Sequence, residues 1–179
     1  MKKGGGKGKG SEFERGVCKD LSRWLSYQER DDLLWRSAMS GGRATVQFKK
    51  GKKASTQAGD LSSIDPLGHK LIDKFVVECK FYKDLRIDSL IYHEPVTNTI
   101  YDFWNILRKE AIDHDKNPMI IARQNNKRTL IGLNDNGVRI LFPKKSDRLP
   151  YSYFESLNLY LFDYASFLGD VDPAVLELP

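Results

Sequence analysis

The stretch from Phe75 to Tyr82 places a Glu and a Lys two residues apart in an otherwise apolar and aromatic run. Side chains alternate across a β-strand, so Glu78 and Lys80 would share one face while the opposite face is wholly apolar. The simplest interpretation is a surface ion pair, which contributes less than about 1 kcal/mol to stability. Carboxylates can also bind a divalent cation, so the choice depends on which other acidic groups lie nearby.

Asp60 is an acidic residue for which the sequence predicts a place beside Glu78. We predict a hairpin in which a strand ending near Gly59–Leu61 is joined to Phe75–Tyr82 by a turn at Asp65–Gly68. In such a hairpin Asp60 and Glu78 lie opposite each other or one diagonal step apart. Two carboxylates at that separation repel each other, and a divalent cation bridging them would remove the repulsion. The alternative is an ordinary Gly-Asp turn.

Glu14 belongs to the first predicted helix, which we expect to begin at Ser11 and to extend to about Gln28. Ser11 and Glu14 have the spacing of a capping box, in which a Ser and a Glu bond to each other's backbone N–H groups. Helical periodicity also places Glu14 next to the apolar stripe, so its carboxylate leans towards the protein. Helix capping and participation in a site with Asp60 and Glu78 are both open at this point.

The remaining patterns predict an α/β fold, a mixed β-sheet flanked by helices. A helix is expected from about Thr99 to His114, where apolar residues recur at helical spacing. Further elements are expected in the following segments: a short strand or a turn at Leu33–Trp35, strands at 43–48, Met119–Ala122, Leu130–Leu133, Val138–Phe142 and Leu157–Phe162, and a hairpin turn at Asn134–Gly137.

The chain has 179 residues, of which 40% are hydrophobic and 30% charged, and this balance excludes wholesale disorder. Residues 1–10 carry lysines among glycines and are predicted to be a flexible basic tail, leaving 11–179 as a single domain. The tail is either a phosphate-binding arm or a solubilising terminus. A formal net charge of +5 favours polyanionic partners such as nucleic acid.

The two cysteines, Cys18 and Cys79, do not form a CxxC motif, so we expect neither a disulfide framework nor a structural zinc site. No apolar run reaches the roughly 18 residues that a membrane span needs, and the N-terminus lacks the apolar stretch of a secretory signal. We therefore expect an intracellular, cytoplasmic protein without membrane contact.

Taken in order, Glu14, Asp60 and Glu78–Lys80 resemble the pattern of PD-(D/E)xK nucleases. More narrowly, residues 10–15 and the Arg-x-x-x-Ser-Gly loop at 36–41 are similar to the corresponding segments of archaeal-type Holliday-junction resolvases. The resemblance implies a restriction-endonuclease-like fold and a metal-dependent DNA endonuclease. An enzyme encoded by a phage is compatible with this resemblance.

For the metal, the resemblance implies Mg²⁺, with Mn²⁺ able to substitute, held by the carboxylates of Asp60 and Glu78. The Cys79 backbone carbonyl would be an additional ligand, and Glu14 would complete the shell, through a water molecule. Oxygen donors without clustered His or Cys suit these hard cations better than zinc.

For catalysis, the resemblance implies that Lys80 orients the attacking water or stabilises the developing anion. Ser40 would contact the phosphate backbone or help to place the metal. The predicted DNA-binding residues are basic side chains of the loops before Asp60: Arg36, Arg43, Lys49, Lys50, Lys52 and Lys53.

The substrate that the resemblance implies is a four-way DNA junction, which needs two matched cuts and therefore a homodimer. Three alternatives remain: a restriction- or repair-type nuclease acting on duplex or flap DNA, a non-catalytic DNA-binding module of the same fold, and a charged α/β domain with a protein partner.

Overall fold

The computed structural model describes residues 5–37, 58–92, 99–144 and 149–177, with side chains described from Gly8 onwards. The helices of these segments are α1 (Gly5–Leu25), α2 (Pro66–Ile72), α3 (Ser89–Tyr92), α4 (Ile100–Asp113), α5 (Asp135–Leu141) and α6 (Tyr164–Asp170), with short 3₁₀ helices at Glu155–Leu157 and Pro173–Glu177. The strands are β1 (Trp35–Arg36), β2 (Leu61–Ser62), β3 (Phe75–Tyr82), β4 (Asn117–Gln124), β5 (Thr129–Leu133), β6 (Tyr151–Phe154) and β7 (Leu159–Asp163). The predicted strand at 43–48 lies outside the described residues.

The main sheet has five strands in the order β3-β4-β5-β7-β6. Strands β3 and β4 are parallel, and the other neighbours are antiparallel, so the sheet is mixed and flanked by helices, as predicted. A parallel pair requires a crossover connection, and α4 lies in the connection between β3 and β4. This arrangement leaves β3 as an edge strand of the main sheet.

Strand β3 is packed on both faces, which explains its nearly continuous apolar sequence. Val77 and Cys79 belong to a core shared with α1, α2, α5 and α6, whereas Val76 belongs to a second core shared with α3 and α4. The second core contains Trp104 and Leu107, both at most 1% exposed. Burying side chains of this size contributes about 1.5–3 kcal/mol each.

Helix α1 packs its apolar stripe on the sheet, and Trp24 near its C-terminal end bonds to the segment that follows α6. Leu21 is 0% exposed, and the Trp24 indole N–H donates to the Val171 carbonyl at 2.6 Å. The predicted start at Ser11 is wrong, because the helix begins at Gly5. Once tertiary packing holds the central turns, each further residue adds one hydrogen bond, so the helix extends back through the glycine-rich segment. The division into a tail and a domain at residue 10 stays a prediction.

The predicted hairpin between the Gly59–Leu61 strand and β3 is wrong. Strand β2 pairs with β1, and Pro66–Ile72 is a helix rather than a turn. The Asp65 side chain accepts from the Leu67 N–H at 2.9 Å and caps this helix. Asp followed by Pro suits a tight turn, but it suits the N-cap and first position of a helix equally well.

The predicted turn at Asn134–Gly137 and the predicted strand at Val138–Phe142 are also wrong, since this segment forms α5. The Asn134 side-chain oxygen accepts from the Gly137 N–H at 2.8 Å, so Asn134 is the N-cap of the helix. The physical reason is again that Asn favours turns and helix N-caps alike.

Helix α4 confirms the prediction for Thr99–His114. The Thr99 side chain caps it by accepting from the Asp102 N–H, and His114 is its C-cap. Strands β5 and β7 confirm the predictions near Leu130–Leu133 and Leu157–Phe162 within two residues. None of the described helices is both long enough and apolar enough to cross a membrane.

Replacing Asn134 by alanine should lower the free energy of unfolding by about 1 kcal/mol, because α5 loses its N-cap. Asn134→Asp should keep the stability, since a carboxylate accepts the same hydrogen bond and suits a helix N-terminus. Urea denaturation measures both, and Asn136→Ala, an exposed position in the same helix, is the matched control. Wild-type stability of Asn134→Ala would contradict the capping role.

Candidate active site

The candidate site lies along the free edge of β3, where the chain before β2 runs beside the strand. The Asp60 backbone N–H donates to the Val77 carbonyl at 2.8 Å, and the Asp60 carbonyl accepts from the Ser37 N–H at 2.7 Å. These bonds hold the Asp60 backbone between β3 and the end of β1. The neighbourhood of Asp60 and β3 is therefore as expected, although no hairpin produces it.

Gly59 sets the direction in which the chain reaches Asp60. Its φ is +76°, and a Cβ at this position would lie 2.5 Å from the Val77 carbonyl oxygen. A residue with a side chain would be strained in this conformation and would collide with the backbone of β3. The Gly-Asp sequence therefore reflects a close approach of two backbone segments.

The Asp60 side chain is buried, with the residue 7% exposed, and one of its oxygens accepts from the Cys79 backbone N–H at 2.9 Å. Burial raises the pKa of the Asp60 carboxyl, while the Cys79 N–H, the Lys80 ammonium and a hydrogen bond with Glu78 act in the opposite direction. The predicted proximity of Asp60 and Glu78 is therefore present in the structure.

Glu78 has a side chain that is 19% exposed. Burial, followed by repulsion from Asp60, raises the pKa of Glu78 to about 7, although Lys80 opposes the shift. The pair therefore retains a proton up to about neutral pH unless a cation compensates its charge.

Lys80 donates from its ammonium to the Glu78 carboxylate, and its Nζ lies 5.1 Å from the centroid of the Phe103 ring. Burial lowers the pKa of Lys80, but the Glu78 and Asp60 carboxylates outweigh this effect and the net pKa is raised. Lys80 is therefore a fixed positive charge next to the carboxylate pair.

Glu14 forms an ion pair with Arg36 of β1. Both side chains are partly buried, with 16% of Glu14 and 32% of Arg36 exposed. Arg36, predicted to bind DNA, here contacts Glu14. Within the described segments, no three or more His, Cys, Asp or Glu side chains form a group that could hold a metal ion. The part of Glu14 in metal binding stays a prediction.

Cys79 contacts the carboxylate of Asp60 through its backbone N–H and not through its thiol. The thiol is buried and free, and burial, then the Asp60 and Glu78 charges, raises its pKa well above the ordinary value. A thiol in such surroundings is unreactive. The Cys79 N–H is the group that orients Asp60, and the use of its carbonyl as a ligand stays a prediction. The other predicted contacts lie outside the described residues: Ser40, Arg43, Lys49, Lys50, Lys52 and Lys53.

Glu110 of α4 is a residue that the sequence analysis missed. Its carboxylate accepts from the Gly59 N–H at 3.1 Å, and its negative charge helps to raise the pKa of both Asp60 and Glu78. A signal was present, because Glu110 follows the buried residues Phe103 and Leu107 at helical spacing and so lies on the side of α4 that meets the protein.

The donor set fits a hard divalent cation. Asp60 and Glu78 provide carboxylate oxygens, and burial, which penalises their charged forms, is the main reason why both pKa values are raised. Mg²⁺ is commonly bound by one or two carboxylates, with water and substrate phosphate oxygens as the remaining ligands. The residues present are therefore sufficient for this type of metal site.

Without divalent cations, the free energy of unfolding should fall as the pH rises from 5 to 8. A carboxyl whose pKa is higher in the folded state stabilises the fold below its unfolded pKa, and that stability is lost as the pH passes the folded value. For Glu78, at about 7 against 4.5, the loss is on the order of 3 kcal/mol. Glu78→Gln should remove most of the decline. Urea denaturation in EDTA measures it, with Glu155→Gln as the exposed control; an unchanged slope in Glu78→Gln would contradict the buried pair.

The amino-acid sequence also matches the model of a known protein family. Residues 5–165, which is most of the chain, match a family described as "Phage putative PDDEXK endonuclease". No curated protein and no solved structure matches the chain. The family match confirms the resemblance to PD-(D/E)xK nucleases and the restriction-endonuclease-like fold. This chain belongs to the phage PD-(D/E)xK endonuclease family.

Proposed function

We propose that this endonuclease uses a divalent cation, Mg²⁺ with Mn²⁺ as a substitute, to hydrolyse phosphodiester bonds of four-way DNA junctions. The observation that carries the metal dependence is the buried Asp60–Glu78 pair beside Lys80. The pair retains a proton up to about neutral pH unless a cation compensates its charge. A hard divalent cation binds carboxylate oxygens of this kind and offsets their negative charge.

Phosphodiester hydrolysis needs an activated water molecule and stabilisation of the charge that develops on the phosphate oxygens. A divalent cation bound to Asp60 and Glu78 would supply both by Lewis-acid polarisation of water and phosphate. The protein contributes rigidity to this reaction, because the Cys79 N–H fixes one Asp60 oxygen and the β3 backbone fixes the Asp60 main chain.

In this proposal Lys80 acts on the reacting groups directly. Its ammonium donates a hydrogen bond to the Glu78 carboxylate. It stays protonated because the neighbouring carboxylates raise the pKa of Lys80. When a cation binds the carboxylates, this ammonium can turn its donors to the attacking water or to a phosphate oxygen. A permanent positive charge at that place stabilises the anion formed in the transition state.

Glu14 and Arg36 form the second part of the proposal. We infer that Glu14 joins the metal shell through a water molecule, which requires it to share its carboxylate between that water and Arg36. Ser40 would contact the DNA phosphate or help to place the metal. The proposed DNA contacts are Arg36, Arg43, Lys49, Lys50, Lys52 and Lys53.

The proposed junction substrate implies a homodimeric enzyme. A four-way junction needs two matched cuts on symmetric strands, and a chain with one site can make both within one encounter only as a dimer. The resolvase-like segments at 10–15 and 36–41 favour this substrate over duplex or flap DNA. A nuclease acting on duplex or flap DNA remains the alternative, and the location proposed for the enzyme is the host-cell cytoplasm.

Glu78→Gln and Lys80→Met should each reduce cleavage by at least about 100-fold, because each removes an interaction that the transition state needs. Binding of DNA in Ca²⁺ or EDTA should change less than about threefold, since most affinity comes from phosphate contacts elsewhere. Single-turnover cleavage and a filter-binding assay measure the two effects. Lys109→Met, an exposed residue of α4, is the matched control. Undiminished cleavage by Glu78→Gln would exclude the proposed catalytic role.

A synthetic four-way junction should be cut in Mg²⁺ at least about tenfold faster than a linear duplex of the same arms, with paired nicks on opposing strands. Light scattering after gel filtration should give twice the chain mass of 20.5 kDa. Denaturing gels with and without EDTA provide the cleavage readout. Equal rates on junction and duplex would contradict the junction proposal and favour the general nuclease, whereas cleavage in EDTA would contradict the metal requirement.

A further inference from the structure

We propose that Glu110 is a positioning residue of this site, whose carboxylate holds the Gly59–Asp60 turn in the geometry that presents the Asp60 side chain. The structural part of this inference rests on contacts alone. Its consequence for cleavage rests on the function proposed above.

The turn before β2 is held by consecutive backbone N–H groups that point to different elements. The Gly59 N–H donates to Glu110 of α4 at 3.1 Å, and the next N–H, of Asp60, donates to the Val77 carbonyl of β3 at 2.8 Å. The Asp60 side chain then accepts from the Cys79 N–H at 2.9 Å. Glu110 therefore provides the contact that joins this turn to a helix, while the other two join it to the strand.

Gly59 is the point at which such an anchor matters most. Its φ of +76° is accessible to glycine, and glycine also has the largest conformational freedom of any residue. The hydrogen bond from its N–H to the Glu110 side chain can restrict this residue where packing of a side chain cannot.

Helix α4 is a rigid support for the anchor. Leu107 and Ala111, on either side of Glu110, are at most 1% exposed in the second core. The same helix carries Phe103, whose ring lies under the Lys80 ammonium. Phe103 and Glu110 are seven residues apart, about 10 Å along the helix axis, so α4 contacts the site at two points.

Among the residues that the structure describes, Glu110 forms no salt bridge with a Lys or Arg, and its side chain accepts one hydrogen bond, from the Gly59 N–H. Within that part of the chain, the Glu110 carboxylate therefore contacts the backbone of the turn.

Three variants separate the anchor from the charge. Glu110→Gln keeps an acceptor at the same reach and removes the charge, Glu110→Asp keeps the charge and shortens the reach, and Glu110→Ala removes both. Asp113→Ala, at an exposed position of the same helix, is the control for an altered α4.

The first readout is the Gly59 backbone amide, followed by ¹H–¹⁵N NMR and hydrogen exchange in the metal-free protein. We expect exchange at least tenfold faster in Glu110→Ala and Glu110→Asp, and within about threefold of wild type in Glu110→Gln. Unchanged Gly59 exchange in Glu110→Ala overturns the anchor. If Glu110→Ala does not fold, Glu110→Asp gives the same decision.

The second readout is the kcat and KM of DNA cleavage. We expect kcat to fall at least tenfold in Glu110→Ala with KM nearly unchanged, and Glu110→Gln to restore kcat to within about threefold. A loss in Glu110→Gln equal to that in Glu110→Ala overturns the positioning role, because charge and not reach would then decide. If the wild type cuts no DNA, the proposed function fails, and the Gly59 amide still decides the anchor.

Discussion

Two carboxylates buried side by side at the edge of a sheet are the constraint on which the rest of this structure depends. Asp60 and Glu78 share one ammonium neighbour, Lys80, and burial raises the pKa of both. Such a pair lowers stability when it ionises without compensation, so the fold supports it with the Cys79 N–H and Lys80. The same pair suits the divalent cation proposed above, because a cation would offset the negative charge of two buried carboxylates.

The architecture explains why this pair can exist at the edge of β3. Parallel pairing with β4 places α4 across one face of β3, and α1 covers the other, so the strand is buried while its free edge accepts a second chain segment. Gly59 lets that segment approach until a side chain would collide with the Val77 carbonyl. Packing of β3 against helices on both faces limits the movement of Asp60 and Glu78, and the proposed catalysis needs this preorganisation.

The sequence predicted the members of the site better than it predicted the chain path between them. Asp60 was placed beside β3 by a hairpin that does not exist, since Asp65 and Pro66 begin a helix. Asn134 was wrongly predicted to begin a hairpin turn, whereas it caps α5. A side chain that accepts a backbone hydrogen bond suits a turn and a helix N-cap equally well. Local chemistry of this kind marks a boundary between elements without deciding which element follows.

By itself the sequence determined which side chains could do the chemistry, because alternation along β3 puts Glu78 and Lys80 on one face whatever the rest of the fold does. It also determined the mixed α/β class, through the periodicity of its long helices and strands. Only the tertiary structure decided that Glu14 pairs with Arg36 and that Glu110 reaches Gly59. Those contacts join residues far apart in the chain, and their energies depend on burial and distance, which no local pattern contains.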